Sequence, residues 1–256
     1  MTIATNSLFT YGHTITDTNK YININEGSGE ITTTIEVGSY SLGEFVDKVA
    51  EALNDIGSQL YTVTLDRLTR LITISAPGVF DLLITSGTNV SQSAFSLIGF
   101  TGADLTGLAT YEANSQTGSV YSPQYKLIKY VPFEHIVKTN NVNVNEAPGG
   151  ELEVVSWGRV NYMECNIKYI TDITGQGVII NNATGVQDYI DFITYATLKR
   201  PIEFIESDQD LNTFNKCVLE STPQSSKGVD FDLEELYGEK LAYYYQSGKL
   251  TFRRLT

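Results

Sequence analysis

Few side chains in this sequence have the type and spacing that catalysis or metal binding requires. The 256 residues include two histidines, His13 and His135, which excludes a metal site built mainly from imidazole ligands. Glu134 directly precedes His135, so the two could be considered as an acid–base pair. Because neighbours on a strand point to opposite faces, we predict instead that both are ordinary surface residues.

One acidic segment resembles the beginning of a calcium-binding loop. Asp208, Asp210 and Asn212 follow the D-x-D-x-N pattern of the first ligands. Such a loop also needs glycine at its sixth position and a bidentate glutamate at its twelfth. Thr213 and Leu219 stand at these positions, so we predict a solvated acidic turn without a metal ion.

Phosphate-binding and nucleophile motifs are also missing from the sequence. Gly175-Gln-Gly177 continues with Val178 and lacks the third glycine of a dinucleotide-binding loop. Neither G-x-x-x-x-G-K-S/T nor G-x-S-x-G occurs. Glu234 and Glu235 are most simply read as an exposed helix face. We therefore predict no catalytic residue, no cofactor and no enzymatic activity.

The net charge and the cysteines narrow the remaining classes of function. A formal charge of −13 disfavours binding to nucleic acid or to an anionic membrane, because like charges repel. Cys165 and Cys217 form no CxxC motif; we predict two buried thiols, although a disulfide between them is possible. The N-terminus lacks the features of a signal peptide, and no apolar run is long enough for a transmembrane helix.

The clearest local structure is predicted between Ile31 and Ser75. Residues 31–37 alternate as a half-buried strand does, and Ser41 with Glu44 forms a capping box at the start of a helix. Apolar residues then recur at helical spacing to Ile56, and Gly57 is predicted to end the helix with positive φ. Alternation returns in the two segments that follow, which predicts a β-α-β-β order with a buried helix face.

Sequence patterns in the second half of the chain predict a β-rich domain with one helix. Residues 101–122 are rich in Gly, Thr, Ala and Ser and predict a long linker. Beyond it, Thr184 and Gln187 suggest a second capping box, and Gln246-Ser-Gly248 predicts a hairpin turn between two strands. The fold class is therefore α+β and β-rich, with an N-terminal module over residues 1–115 and a mostly antiparallel C-terminal domain over 120–256.

The end of the chain is the predicted contact surface. Tyrosine and arginine are over-represented at interface hot spots, and the predicted C-terminal hairpin concentrates both types. The predicted interface residues are Tyr243, Tyr245, Phe252, Arg253 and Arg254.

Several segments together resemble virion proteins of tailed bacteriophages. An acidic amphipathic helix between Thr-rich strands, followed by a small Ser/Leu/Gly-Phe segment, is the pattern of Val37 to Leu53, Tyr61 to Thr64, Leu71 to Ser75 and Ser93 to Phe100. In the C-terminal half, the segments that resemble tail or baseplate structural proteins of such phages are Pro201 to Phe204, Leu219 to Pro223 and Tyr245 to Leu255. The resemblance implies a non-enzymatic structural subunit of a phage tail, made in the host cytoplasm and built into a ring near the baseplate or tail tip. Its partners would be other copies of itself and neighbouring tail or baseplate proteins.

Two other functions fit the same observations. A head-to-tail connector or neck protein would have the same composition and would differ in its position in the virion. A carbohydrate-binding receptor module would use exposed tyrosines and acidic loops as a platform for sugars.

Overall fold

The structure, a computed structural model, describes residues 7–123, 128–138, 142–146, 152–156, 160–170, 185–221, 234–235 and 245–255. The chain divides into two compact units. Leu8–Val120 and Arg200–Phe214 belong to one, called here the N-terminal unit, while Tyr121–Lys199 and Asn215–Thr256 belong to the other, the C-terminal unit. The predicted domains divide the chain only at residues 115–120, and they therefore place Arg200–Phe214 with the other unit.

Strands outnumber helices in the described parts of both units, and the strand pairs described below are antiparallel, which confirms the predicted β-rich α+β class. The strands and helices are, in chain order, β1 Leu8–Tyr11, β2 Thr14–Ile15, β3 Tyr21–Asn25, β4 Glu30–Thr34, β5 Gly38–Ser39, α1 Leu42–Ile56, β6 Thr62–Asp66, β7 Leu71–Leu82, α2 Phe95–Ile98, β8 Leu105–Glu112, β9 Ser119–Tyr121, β10 Ile128–Lys138, β11 Val142–Glu146, β12 Leu152–Ser156, β13 Val160–Ile170, α3 Val186–Thr197, β14 Ile202–Ile205, β15 Phe214–Ser221, β16 Glu234–Glu235 and β17 Tyr245–Arg254.

The core of the N-terminal unit lies between α1 and a five-stranded sheet. The sheet has the order β4-β3-β7-β6, and β8 pairs with the long central strand β7. Ile72 and Ile74 of β7 are fully buried and belong to the same hydrophobic cluster as Val49 and Leu53 of α1. The apolar residues of β6 and β7 face the helix, because side chains alternate between the two faces of a strand.

The predicted capping box of α1 is confirmed. The Ser41 N–H donates to Glu44 Oε2 at 3.0 Å, and the Glu44 N–H donates to Ser41 Oγ at 3.4 Å. Two details of the helix differ from the prediction. Ile56 is 43% exposed, because it lies in the last turn, beyond the cover of the sheet. Gly57 has φ −65°, so the predicted positive φ is wrong. Glycine is favoured here for lack of space, because a Cβ at this position would lie 2.8 Å from the Leu53 carbonyl oxygen.

The predicted linker over residues 101–122 is wrong, because much of it is strand. β8 pairs with β7, with Thr73 opposite Glu112 and Ser75 opposite Thr110. Its Gly, Thr and Ala residues indicated a flexible segment, but the free edge of β7 supplies the backbone partners that make it a strand. Just before this segment, the sequence of residues 91–100 predicts one or two helical turns that end at Gly99, and this is confirmed, since α2 ends at Gly99 with φ +102°.

The C-terminal unit contains strands in the order β10-β13-β17-β15, with β16 also paired to β17, and a separate β11–β12 pair. The predicted hairpin around Gln246-Ser-Gly248 is wrong, because β17 runs through these residues as one strand. Asn166 faces Lys249, whereas Lys168 faces Gln246, so β17 carries an extra residue at a β-bulge. Gly248, with φ +65°, serves this bulge.

The third helix begins differently from the prediction. Thr184 lies outside the described residues, and the structure caps α3 through Asp188, whose Oδ2 accepts the Gly185 N–H at 2.8 Å. Gln187 instead donates to Asp191 on the exposed side of the helix. Lys199 lies just beyond the helix, and its Nζ donates at 2.7 Å to two backbone carbonyl oxygens of β15.

The two cysteines are buried free thiols, as predicted. Cys165 lies on β13 opposite Leu250, and Cys217 lies on β15 opposite Arg254. Because β17 separates the two strands, the sulfur atoms are not in position to form a disulfide. Among the described residues, no helix has both the length and the apolar character needed to cross a membrane.

Candidate assembly surface

The structure separates the predicted interface residues along one strand and removes one member from the set. Tyr245 begins β17, whereas Arg253 and Arg254 end it, so the tyrosine and the arginines lie at opposite ends of the strand. Phe252 has no exposed surface and lies in the core, with its ring centroid 6.5 Å from that of Phe192 on α3. Its prediction as a contact residue is therefore wrong, because alternation in one continuous strand turns it inward. Tyr243 lies outside the described residues.

Two cations of this sheet pair with acids on neighbouring strands. Lys249 Nζ lies 2.7 Å from Glu164 Oε1 on β13, and Arg253 Nε lies 3.5 Å from Glu220 Oε2 on β15. Both pairs are partly exposed, and such pairs contribute about 0–1 kcal/mol. Arg253 is thus matched by an acid on its own sheet, while Arg254 is the exposed cation at the strand end.

A buried carboxylate with several hydrogen-bond partners lies inside the N-terminal unit. Glu203 on β14 has no exposed surface. One carboxylate oxygen accepts the Gly43 N–H, in the first turn of α1, at 2.7 Å. The other accepts Thr10 Oγ1 at 3.1 Å and Arg67 Nη1 at 2.5 Å. This set of contacts, the Glu203 centre, joins β1, α1, β14 and the turn before β7.

The position of Glu203 explains why the carboxylate can be buried. A helix N-terminus has unsatisfied N–H groups and a partial positive charge, both of which favour a carboxylate. The Arg67 side chain, 12% exposed, supplies the opposite full charge, and its guanidinium carbon lies 4.2 Å from the centre of the Phe214 ring. The donors to Glu203, which are Gly43, Thr10 and Arg67, come from other elements of the unit, so the centre holds these elements together.

Other carboxylates of this unit fix loops in place. Glu30 accepts the Thr88 N–H at 2.7 Å together with the Thr88 hydroxyl, and these bonds hold the pKa of Glu30 below its usual value. Asp104 accepts N–H groups from Thr85 and Ser86. Burial alone would raise the pKa of Asp104, but these hydrogen bonds outweigh it and lower the pKa. These acids organise the backbone.

His13 is a structural residue of the same unit. Its Nε2 accepts the Gly118 N–H at 2.9 Å and lies 3.0 Å from Thr117 Oγ1, and its ring packs edge-on against Phe45. Because Nε2 accepts a hydrogen bond, the proton of the neutral ring is on Nδ1. Burial lowers the pKa of His13 to about 4, against the weaker opposing effect of the Leu97 carbonyl.

The remaining candidates for chemistry can be located in part. Across the described residues, no group of three or more His, Cys, Asp and Glu side chains could hold a metal ion. Asp208 and Asp210 lie in a turn closed by the Asp210 N–H and the Ser207 carbonyl oxygen at 3.0 Å. Glu234–Glu235 is strand β16, so the predicted helix face there is wrong.

Two further predictions concern residues whose side chains the structure does not describe. Glu134 and His135 lie in β10, whose side chains are outside the described part of the structure. Gly175–Gly177 lies outside the described residues altogether.

Sequence reasoning missed the exposed apolar side chains of the N-terminal unit. Leu60, Val79 and Leu108 are 72%, 62% and 57% exposed. Their sequence signal was ambiguous, because a leucine or valine in a strand predicts core unless the register is known. Glu203 was missed as well, although a lone carboxylate inside the apolar segment Ile202–Ile205 is itself a signal of a buried partner.

Comparison with known protein families and with curated proteins gave no match.

Proposed function

We propose that this chain is a non-enzymatic structural subunit that acts by protein–protein assembly in the tail of a bacteriophage, near the baseplate or tail tip. The observation that supports the proposal is the exposure of large apolar side chains on the described surface. In the N-terminal unit Leu60, Val79 and Leu108 are exposed to solvent. The carboxylates of Glu203, Glu30 and Asp104 accept hydrogen bonds from backbone N–H groups of the same unit. Large apolar side chains grouped at the surface favour contact with another protein.

The phage assignment rests on the resemblance of sequence segments described above. In that setting each subunit would contact other copies in a ring and neighbouring tail or baseplate proteins. Weak contacts repeated around a closed ring give a stable assembly, because symmetry multiplies each of them.

Labelled virions test the proposed place of the protein. A subunit carrying a gold-binding tag should be located at the baseplate or tail tip by electron microscopy. A label at the head–tail junction would support a connector or neck protein instead. Absence of the chain from purified virions, together with binding on a glycan array, would support a carbohydrate-binding protein.

Assembly itself can be tested on the purified chain with matched variants. Replacing both Tyr243 and Tyr245 by alanine should lower the sedimentation coefficient of the assembled species and leave the circular dichroism spectrum unchanged. Leu198→Ser provides the control, because Leu198 is 59% exposed but was not among the predicted contact residues. Equal sedimentation of the tyrosine variant and the parent chain would contradict a role of Tyr243 and Tyr245 in assembly.

A further inference from the structure

One face of the N-terminal sheet carries a regular array of small hydroxyl side chains. α1 packs on the side to which Ile72 and Ile74 point, so alternation turns their neighbours Thr73 and Ser75 to the other side. Strand register extends this array into two rows. Thr62, Ser75 and Thr110 form one row, and Thr64, Thr73 and Glu112 form the other. We call this side, with the apolar residues at its end, the outer face.

The apolar end of the outer face is produced by an irregularity in the sheet. The register of β7 and β8 shifts between the pair Ser75–Thr110 and the pair Phe80–Leu108, so β7 has extra residues there. Val79 lies in this bulge at 62% exposure, and Leu108 on the neighbouring strand is 57% exposed. Leu60, which precedes β6, is 72% exposed.

The bulge is held in a fixed conformation by two polar side chains. Gln59 Oε1 accepts the Gly78 N–H at 2.6 Å, and Gln59 Nε2 donates to the Val79 carbonyl oxygen at 3.2 Å. On the other side, the Tyr111 hydroxyl donates to the Phe80 carbonyl oxygen at 2.7 Å and accepts the Leu108 N–H at 2.9 Å. Because backbone groups of the bulge are satisfied internally, its apolar side chains are presented in one arrangement, which lowers the entropy cost of binding.

The unit that carries this face has a strong excess of acidic residues. The N-terminal unit contains 16 acidic and 5 basic residues, a difference of −11, whereas the C-terminal unit contains 14 and 12, a difference of −2. Basic residues of the N-terminal unit already have partners within it: Lys20 pairs with Asp17, Lys48 with Glu36 and Glu51, and Arg67 with Glu203, while Arg70 donates to the Gly118 carbonyl oxygen. The named residues of the outer face include Glu112 and no lysine or arginine.

We propose that the outer face binds a protein partner that presents lysine or arginine side chains around an apolar centre. The inference rests on the proposed assembly function, since it states the chemistry of one partner. Val79, Leu108 and Leu60 would supply the desolvated centre, and the excess negative charge of the unit would attract the basic rim. Two copies of this unit placed face to face would each bring a charge of −11, which opposes a self-contact through this face.

A defined cationic probe tests the inference on the full chain. The probe is a fluorescent peptide of alternating leucine and lysine, and its counterpart of alternating leucine and glutamate is the charge control. Fluorescence anisotropy should show binding of the lysine peptide that weakens as salt is raised, because screening reduces the attraction between exposed charges. The glutamate peptide should not bind.

Variants locate the binding to the outer face. The double variant Val79→Ser with Leu108→Ser should bind the lysine peptide at least tenfold more weakly, and Glu112→Lys should also weaken binding without removing any apolar contact. The matched control is Leu68→Ser with Val90→Ser, two residues 63% and 45% exposed that are not part of the outer face. This control should bind as the parent chain does, and circular dichroism should show that all variants are folded.

Several results would overturn the inference. Equal binding by the parent chain and the Val79, Leu108 double variant would show that the peptide binds elsewhere. Self-association of the parent chain that the same double variant abolishes would identify a second copy as the occupant. Virions that contain the subunit with its outer face accessible to chemical labelling would refute this contact and leave the assembly function intact, whereas peptide binding by a chain absent from virions would refute the assembly function alone.

Discussion

The Glu203 centre gives the sharpest quantitative prediction about this fold. Glu203→Gln keeps the size of the side chain and removes its charge. The two carboxylate oxygens accept from opposite sides, one from Gly43 and the other from Thr10 and Arg67. Whichever way the new amide is turned, its NH₂ group therefore faces a donor, and the Arg67 guanidinium loses its counter-charge.

The magnitude follows from the burial of both partners. Removing one member of a buried ion pair costs about 3–5 kcal/mol, because the remaining charge stays desolvated. Since 12% of the Arg67 side chain is exposed, water can compensate a little of that cost, and we expect a loss near 3 kcal/mol. Thr10→Val removes a single neutral hydrogen bond from the same carboxylate and should cost only about 1 kcal/mol.

Hydrogen exchange measures this loss within the N-terminal unit. Amides of α1, Leu42–Ile56, report the opening of the unit that contains the Glu203 centre, and urea unfolding followed by circular dichroism provides the global comparison. Exchange of the most protected amides should accelerate by roughly 100-fold, since 1.4 kcal/mol corresponds to a factor of ten. Thr10→Val is the control for loss of a hydrogen bond without loss of charge.

A double-mutant cycle separates the ion pair from the other contacts. Arg67→Met leaves the Glu203 carboxylate buried with its neutral donors, and the combined variant removes both charges. We expect the combined variant to lose clearly less stability than the sum of the single losses, because neither charge is then left alone. Additive losses, or a cost for Glu203→Gln below about 1 kcal/mol, would refute the assignment of the centre as a tightly coupled pair.

Three further predictions concern other parts of the fold. Gly99→Ala should destabilise the protein well beyond the 1–2 kcal/mol or so of left-handed strain, because its Cβ would lie 2.2 Å from a backbone oxygen, whereas Gly102→Ala, at similar positive φ with nothing within 4 Å, should show only that strain in urea unfolding. Because the pKa of His13 is about 4 when folded and 6.5 when unfolded, stability should be complete above pH 6.5 and fall by about 3 kcal/mol towards pH 4; His13→Gln should flatten this part of the urea-unfolding profile. Iodoacetamide should label Cys165 and Cys217 only after denaturation, because both are buried and burial raises the pKa of Cys165 to about 12; modification of either in the folded protein would contradict this.

Local signals in the sequence were sufficient for the helices that carry their own start and stop information. The Ser41–Glu44 capping box and the apolar spacing behind it lie within one segment of chain, so the whole of α1 was predictable. The same holds for Phe95 and Ile98 of α2, which Gly99 ends. In these cases each interaction joins residues at most a few positions apart.

The features that were missed depend on partners far along the chain. Glu203 accepts hydrogen bonds from residues at least 136 positions away, and no neighbouring residue in the sequence indicates which partners it has. β8 looked like a linker, since its small residues become a strand only beside β7. Gly248 was interpreted as a turn residue. Glycine adopts positive φ in turns and in β-bulges alike, and only the register with β13 shows that Gly248 belongs to a bulge.

The negative charge that disfavours nucleic acid is concentrated in the N-terminal unit. Of the total of −13, this unit contributes −11, with 16 acidic and 5 basic residues, and the C-terminal unit contributes −2, with 14 and 12. Repulsion of a phosphate backbone is therefore strong for the N-terminal unit and weak for the C-terminal one. Some cations of the C-terminal unit meet acids or carbonyl oxygens, as Lys249 meets Glu164 and Lys199 meets the backbone of β15, whereas Arg254 is exposed at the end of β17. Net charge therefore disfavours a phosphate-binding surface on the N-terminal unit much more than on the C-terminal unit.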